Sequence, residues 1–165
     1  MIQKKICMLG ASAVGKTSLV ARFVQGGFSD RYLTTVGVKI DKKPVTVDGQ
    51  DVLMMLWDMQ GEDRFQKVQM SYLRAAAGYL LVADGTRRDT LDRALLLQKD
   101  AESVAGQVPF VLLLNKSDLV DDWDVEDSAL DELRTAGWAI VRTSAKTGER
   151  VEETFVSLAT RMLAK

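Results

Sequence analysis

Short apolar runs alternate along the chain with segments in which apolar residues recur at helical spacing. Apolar runs bounded by turn residues are typical of strands that are buried on both faces of a sheet. The predicted strands of this kind cover residues 6–9, 79–83, 109–114 and 138–141. The predicted helices cover residues 15–24, 62–75, 91–104 and 125–136, and a final helix carries Val151, Phe155, Leu158 and Met162 on one stripe.

Residues 36–57 have a different pattern, which predicts two strands joined by a tight turn at Asp48 and Gly49. Pro44 has no N–H to donate to a neighbouring strand, so we expect the first of these strands at the edge of the sheet. Strands that alternate with helices predict a mostly parallel sheet covered on both faces. The chain has no repeat or linker, so residues 1–165 are predicted to form one α/β domain.

Composition removes several classes of function. The net charge is −1 with no basic block, which argues against a broad nucleic-acid surface. The chain has no histidine, and its single cysteine, Cys7, excludes an internal disulfide or a cysteine zinc site and is expected to pack in the core. No apolar stretch is long enough to span a bilayer. We expect a cytoplasmic protein, with peripheral membrane association only if a lipidated tail has been removed.

A glycine-bearing loop follows the first predicted strand and precedes the first predicted helix. Residues 10–17, GASAVGKT, match the pattern G-x-x-x-x-G-K-[ST] in the context that this pattern requires. Its backbone N–H groups and the helix N-terminus can face phosphate oxygens, Lys16 can bridge the terminal phosphates, and the Thr17 hydroxyl can ligate Mg²⁺. The predicted nucleotide contacts of this loop are Ala13, Val14, Gly15, Lys16, Thr17 and Ser18. The loop alone leaves kinases, ATPases and GTPases open.

A second motif, Asn115-Lys116-Ser117-Asp118, directly follows a predicted buried strand. Ligands of open α/β sheets bind at the carboxyl ends of the strands. The Asp118 carboxylate can accept hydrogen bonds from the ring N–H and the exocyclic amine of guanine together. Adenine would leave that carboxylate unpaired, so the site should reject adenine relative to guanine by roughly 10⁴-fold. Asn115 can bond the other edge of the purine and tie neighbouring loops together.

Two further segments can complete a base pocket. Ser144-Ala145-Lys146 follows the last predicted strand, and the backbone N–H of Ala145 would suit guanine O6. Phe28 lies in the polar loop GGFSD, where it is a candidate to stack on the base, with a packing role as the alternative. Together these segments favour guanine over other bases.

The pattern resembles the Ras superfamily of small GTPases, and most of all its Rab-type branch. The resemblance extends from Lys4 to about Leu163. It depends on five motifs in the correct order and spacing: AVGKTSL (13–19), TTVGV (34–38), WDMQGEDRF (57–65), NKSD (115–118) and SAK (144–146). It implies a P-loop GTPase fold, or G domain, with a six-stranded, mostly parallel sheet flanked by about five helices. It also implies binding of GTP or GDP with Mg²⁺, and hydrolysis of GTP.

The resemblance assigns roles to residues that the pattern alone does not. Thr35 would contact Mg²⁺ and the γ-phosphate, Asp58 would hold Mg²⁺ through water, and the Gly61 N–H would sense the γ-phosphate. Phe28 matches the aromatic residue that lies beside the base. Loss of the γ-phosphate would release the segments around Thr35 and Gly61, which is a known type of switch.

The chain departs from the family in the motif that begins at Asp58. The usual D-x-A-G-Q is DMQGE here, so Glu62 replaces the glutamine that orients the attacking water, and Gln60 replaces alanine. A carboxylate can accept a hydrogen bond from water and act as a base, but it also places negative charge near the γ-phosphate. The sign of the net effect is open, and Gln60 is a second candidate for positioning the water. The catalytic candidates are Lys16, Gln60, Gly61 and Glu62.

Arg31 and Arg64 are expected to be solvated or locally paired, so we expect slow turnover unless a partner supplies an arginine. Protein regulators and effectors are expected to bind residues 29–39 and 60–75. The alternative to a GTPase switch is a guanine-nucleotide-binding interaction protein with negligible hydrolysis because of Glu62. A third hypothesis, a P-loop ATPase or kinase, is disfavoured by NKSD and SAK.

Overall fold

The elements follow one another in the predicted alternating order. A computed structural model of the chain describes residues 1–25, 38–58 and 71–164. The strands are β1 (Ile2–Gly10), β2 (Lys39–Val47), β3 (Gln50–Asp58), β4 (Gly78–Asp84), β5 (Phe110–Asn115) and β6 (Ile140–Arg142). The α-helices of the described part are α1 (Lys16–Gln25), α2 (Arg88–Ala105), α3 (Asp131–Thr135) and α4 (Val151–Leu163). Short 3₁₀ segments cover Ser71–Leu73, Ser117–Asp122 and Asp127–Leu130.

The six strands form one sheet in the order β2-β3-β1-β4-β5-β6. Strand β2 runs antiparallel to β3, and all the other neighbouring pairs are parallel. Pro44 therefore lies in an edge strand, as its missing N–H predicted. The predicted fold class, an α/β domain with a six-stranded and mostly parallel sheet, is confirmed.

The β2–β3 connection is the predicted hairpin turn. Val47 pairs with Gln50, and the two residues between them, Asp48 and Gly49, have φ of 50° and 78°. Positive φ at both central positions gives the turn the twist that matches its two strands, which is why glycine and aspartate suit it.

Two apolar cores cover the two faces of the sheet because successive side chains of a strand point to opposite sides. Along β4, Leu80 and Val82 pack in the core under α1 and α4, whereas Tyr79 and Leu81 pack in the core under α2. Every residue of β4 is buried, as its continuous apolar run predicted. The buried stripe of α4 holds Phe155, whose ring stacks on Phe23 of α1 at 4.2 Å between centroids.

Some predicted boundaries were wrong. Strand β1 begins at Ile2 rather than residue 6, because pairing with β3 continues through a partly exposed stretch that carries lysines. The helix predicted over residues 125–136 is divided into the 3₁₀ segment Asp127–Leu130 and the five-residue α3. Gly137, at φ 90°, ends that region, and the last strand begins at Ile140 rather than residue 138.

Most of the helix predicted over residues 62–75 lies outside the described residues. Within the described part of the chain, no helix is both long enough and apolar enough to cross a membrane.

Candidate functional site

Polar residues end three of the parallel strands, and all three lie at the edge of the sheet formed by the carboxyl ends of its strands. Asp58 ends β3, Asp84 ends β4 and Asn115 ends β5, and the β4–β5 register places Asp84 directly opposite Asn115. Parallel strands carry their ligand-binding loops at this edge. The loop after β1, residues 11–15, opens there as well.

The predicted phosphate loop, residues 10–17, needs both of its glycines. A Cβ on Gly10 would lie 2.5 Å from the Val82 carbonyl oxygen. A Cβ on Gly15 would lie 2.2 Å from Asn115 Nδ2, and Gly15 has φ +103°, which L side chains rarely adopt. The two glycines let the loop turn tightly against β4 and against the end of β5.

Lys16 is the first residue of α1 and is only 5% exposed. Its Nζ donates to the carbonyl oxygens of Gly10 at 2.8 Å and Ala11 at 3.2 Å. Burial lowers the Lys16 pKa to about 8, and the nearby Asp58 carboxylate opposes that shift. A phosphate anion in the loop would favour the charged ammonium, so the site is suited to a negatively charged ligand.

Thr17 and Asp58 form the pair that fits a magnesium ion. Thr17 Oγ1 donates to Asp58 Oδ2 at 2.5 Å. Asp58 is 1% exposed, and within the described ranges its Oδ1 is a buried oxygen without a hydrogen-bond partner. Burial raises the Asp58 pKa, while the Thr17 hydrogen bond and Lys16 oppose that shift. A buried oxygen left unbonded is costly unless a ligand completes it, and oxygen donors are those that Mg²⁺ prefers.

The described residues contain no group of three or more histidine, cysteine or acidic side chains that could hold a metal ion. In nucleotide sites Mg²⁺ usually takes several of its ligands from phosphates and water and only one or two from carboxylates.

Asn115 joins the phosphate loop to the loop after β6. Its Nδ2 donates to the Val14 carbonyl at 2.9 Å. Its Oδ1 accepts from Thr143 Oγ1 and from the Ala145 N–H, both at 3.3 Å. The Ala145 N–H, predicted to face guanine O6, thus has a protein acceptor in this structure. The side chain of Asn115 therefore ties neighbouring loops together, as predicted.

Asp118 lies in the 3₁₀ segment after β5, with an exposed side chain. Its Oδ1 accepts from Ser144 Oγ at 2.7 Å, and Ser144 Oγ in turn accepts from the Thr147 N–H at 3.1 Å. These hydrogen bonds orient the exposed Asp118 carboxylate beside the carboxyl end of β5, where a base can reach it.

The two lysines of the base motifs behave differently. Lys116 has φ 73° and its Nζ lies 2.7 Å from Asp84 Oδ2, whereas Lys146 is exposed and its carbonyl accepts from Arg22 Nη1 at 3.4 Å. Arg22 Nη2 also donates to the Thr147 carbonyl at 3.1 Å, which ties α1 to the loop after β6.

Among the described residues, the structure brings the phosphate and base motifs to one edge. Ser18 is half-buried in the first turn of α1. The other predicted site residues, Phe28, Thr35, Gln60, Gly61 and Glu62, lie outside the described residues. Sequence reasoning missed Asp84 and Arg22. Asp84 ends a buried apolar strand, as Asp58 does, so the rule for polar residues at strand ends could have found it.

Comparison with known proteins gives a consistent result. The sequence model of the Ras family matches residues 5–164. The chain is 38% identical over 165 residues to Ras-related protein Rab-4A of Homo sapiens, which covers 98% of this chain and 75% of that protein. It is 34% identical to Ras-related protein Rab-4 of Dictyostelium discoideum, covering 98% of this chain and 80% of that protein. Ras-related protein Rab-1D of the same organism is 34% identical, covering 94% and 77%.

Proposed function

The chain belongs to the Ras family and is a Rab-like GTPase, and from this premise we propose that it is a switch that holds GTP or GDP with Mg²⁺ and hydrolyses GTP slowly on its own. The observation that carries the proposal is the buried Asn115 side chain, which fastens the phosphate loop at Val14 to the base loop at Ala145. A ligand that fills both loops has a phosphate chain at one end and a base at the other.

The phosphate end relies on charge and on backbone donors. Lys16 supplies a buried cation at the start of α1, where the helix dipole also favours an anion. Thr17 and Asp58 would hold Mg²⁺, which supplies charge neutralisation on the terminal phosphate oxygens when it is bound. The chain's own residues therefore position the phosphates rather than react with them.

The base end relies on Asp118 and Asn115. The Asp118 carboxylate, oriented by Ser144, accepts the two donors on the guanine edge, and an adenine offers it an acceptor instead. We expect nucleotide extracted from the purified protein to be GDP or GTP. Asp118→Asn should weaken GDP binding by about a hundredfold or more, because the side-chain amide places a donor opposite a guanine donor. Bound ATP or ADP in the extract would overturn the proposal.

Glu62 sets the expected hydrolysis rate. It stands where the family has glutamine, and we propose that repulsion between its negative charge and the γ-phosphate outweighs its ability to accept a hydrogen bond from the attacking water. Glu62→Gln should therefore accelerate single-turnover GTP hydrolysis, measured as phosphate release from GTP-loaded protein. Glu62→Ala and Gln60→Ala made separately test whether either side chain positions the water.

The same time course separates the two forms of the hypothesis. Slow phosphate release from the wild-type protein supports a GTPase switch. No release from the wild type, together with release from Glu62→Gln, supports a nucleotide-dependent interaction protein instead. A Glu62→Gln rate equal to the wild-type rate would contradict the proposed role of Glu62. In either form, regulators and effectors are proposed to bind residues 29–39 and 60–75.

A further inference from the structure

The turn between β4 and α2 carries a charged pair that the nucleotide motifs do not include. Asp84 ends β4, and Arg87 directly precedes α2. The backbone of this turn is held firmly, since the Asp84 N–H donates to Thr90 Oγ1 at 2.8 Å and Thr90 Oγ1 donates to the Arg87 carbonyl at 2.7 Å. Arg87 is thus presented from a fixed backbone beside the phosphate loop.

The Asp84 carboxylate is fully buried, and both of its oxygens accept hydrogen bonds. Oδ1 accepts from the N–H and the hydroxyl of Thr86 at 2.9 and 2.7 Å. Oδ2 accepts from Arg87 Nε at 3.1 Å and Lys116 Nζ at 2.7 Å. Burial alone would raise the Asp84 pKa, but the hydrogen bonds from Lys116, Thr86 and Arg87 outweigh it and hold the pKa below its usual value.

The two cations held by Asp84 reach consecutive carbonyls of the phosphate loop. Arg87 Nη2 donates to the Ser12 carbonyl at 3.0 Å, and Lys116 Nζ donates to the Ala13 carbonyl at 3.4 Å. In a trans peptide the C=O and the following N–H point in opposite directions. Because the Ser12 carbonyl points toward Arg87, the Ala13 N–H points away from Arg87. In the same way, the contact of Lys116 with the Ala13 carbonyl makes the Val14 N–H point away from Lys116.

The Ala13 backbone needs such support. Ala13 has φ 63°, a left-handed conformation that is sterically unfavourable for a residue with a Cβ. Contacts on its two flanking peptides, from Arg87 to the Ser12 carbonyl and from Lys116 to the Ala13 carbonyl, help to hold that conformation.

We propose that Arg87, anchored by Asp84, is a positioning residue that aims the backbone N–H of Ala13 at the phosphates of a nucleoside di- or triphosphate. The inference rests on the proposed function, because it presumes that this loop binds such a nucleotide. Lys116 shares the anchor but belongs to the base motif, so Arg87 is the member of the group that acts on the phosphate loop alone.

A different role for Arg87 is an ordinary surface ion pair. Its side chain is 40% exposed, and exposed ion pairs contribute little to stability. The test must therefore distinguish an effect on the phosphate loop from an effect on the fold. GMP makes this possible because it keeps the base contacts but lacks the terminal phosphates.

The experiment compares Arg87→Ala, Arg87→Lys and a matched control, Arg88→Ala. Arg88 is the neighbouring arginine, and its Nε lies 3.5 Å from the exposed Asp92 on α2. For each variant we would measure the dissociation rate of fluorescent GDP, the Kd for GMP and the melting temperature.

Arg87→Ala should release GDP about tenfold faster, equal to about 1.4 kcal/mol, and keep its GMP affinity within about twofold. Arg87→Lys should lie between Arg87→Ala and the wild type, because one ammonium cannot reproduce the forked contact to both Asp84 and Ser12. Arg88→Ala should release GDP at the wild-type rate.

The proposal is overturned if Arg87→Ala and Arg88→Ala release GDP equally fast, or if Arg87→Ala weakens GDP and GMP by the same factor. The second result, with a lowered melting temperature, would assign Arg87 to fold stability. A wild-type protein that does not bind GDP at all would instead reject the proposed function, so the two failures are distinguishable.

Discussion

Asn115 is the side chain whose removal should disturb nucleotide binding most directly without touching a phosphate contact. It is 2% exposed, and its side-chain amide forms hydrogen bonds both to the phosphate loop and to the loop after β6. Asn115→Ala leaves the Val14 carbonyl without its 2.9 Å donor and the Ala145 N–H without its 3.3 Å acceptor. The phosphate loop and the base loop then lose the link that holds them in one arrangement.

The smallest expected effect follows from these bonds, and loss of the proposed contact between Asn115 and the purine would add to it. The contact to Val14 is short and buried, so leaving its carbonyl unsatisfied costs about 1–3 kcal/mol. The two bonds to Asn115 Oδ1 are long, at 3.3 Å, and add less. Since 1.4 kcal/mol is a factor of ten, GDP should dissociate about 5- to 150-fold faster from Asn115→Ala than from the wild type.

Gln98→Ala provides the matched control. Gln98 is also a largely buried amide, whose Nε2 donates to Glu102 Oε2 at 3.0 Å, but it lies in the second half of α2, which runs back from the nucleotide edge. Its removal should lower the free energy of unfolding in urea and leave the dissociation rate of fluorescent GDP within about twofold of the wild type.

Two results would refute the reasoning. If Asn115→Ala releases GDP within twofold of the wild-type rate, the link between the two loops has no role in holding the nucleotide. If Gln98→Ala accelerates release as much as Asn115→Ala, general destabilisation accounts for both.

Three further predictions concern the core and the buried ionisable groups. Phe155→Ala should lower the free energy of unfolding by about 3–5 kcal/mol, because it removes a buried ring stacked on Phe23; a loss below about 1 kcal/mol in urea would contradict this. Burial raises the Cys7 pKa to about 12, with a smaller opposing effect of Lys5. The Cys7 thiol should therefore not react with Ellman's reagent at pH 8 until urea unfolds the protein. Rapid labelling of the native protein would contradict this prediction. Burial raises the Asp84 pKa, but hydrogen bonding outweighs burial and holds this pKa below its value in the unfolded chain. The ionised Asp84 carboxylate therefore stabilises the fold above about pH 4, and this stabilisation is lost as the pH falls through the folded-state pKa. The stability gap between wild type and Asp84→Asn, from urea unfolding, should be constant from about pH 8 to 5 and shrink below about pH 4; shrinkage already at pH 6 would count against the assignment.

Patterns contained within a few residues predicted most of the fold. The apolar runs of β4 and β5 located two central strands, and the Asp-Gly pair located the hairpin turn, because each depends on neighbours along the chain. The single helix predicted over residues 125–136 was wrong. The spacing of apolar residues in so short a segment does not show whether the segment forms one unbroken helix or, as here, a 3₁₀ segment followed by a short α-helix.

The candidate site was predicted in its parts and not in its connections. Lys16, Thr17 and Asp118 belong to contiguous motifs with a known geometry, so the sequence was enough to name them. Asp84 and Arg22 stand in no such motif. Their roles depend on which loops the sheet brings to them, and no local pattern contains that information.

The sequence by itself located the two motifs, a predicted phosphate loop between β1 and α1 and a predicted guanine motif after β5. Only the tertiary structure decided how those two sites are fastened together. The contacts that do so join residues 101 positions apart, from Asn115 to Val14, and 103 apart, from Lys116 to Ala13. They exist because β1, β4 and β5 are neighbours in the sheet and the register aligns Asp84 with Asn115. Strand order and register arise from packing the whole core. A contact that depends on them therefore cannot be predicted from the sequence around either of the two residues that form it.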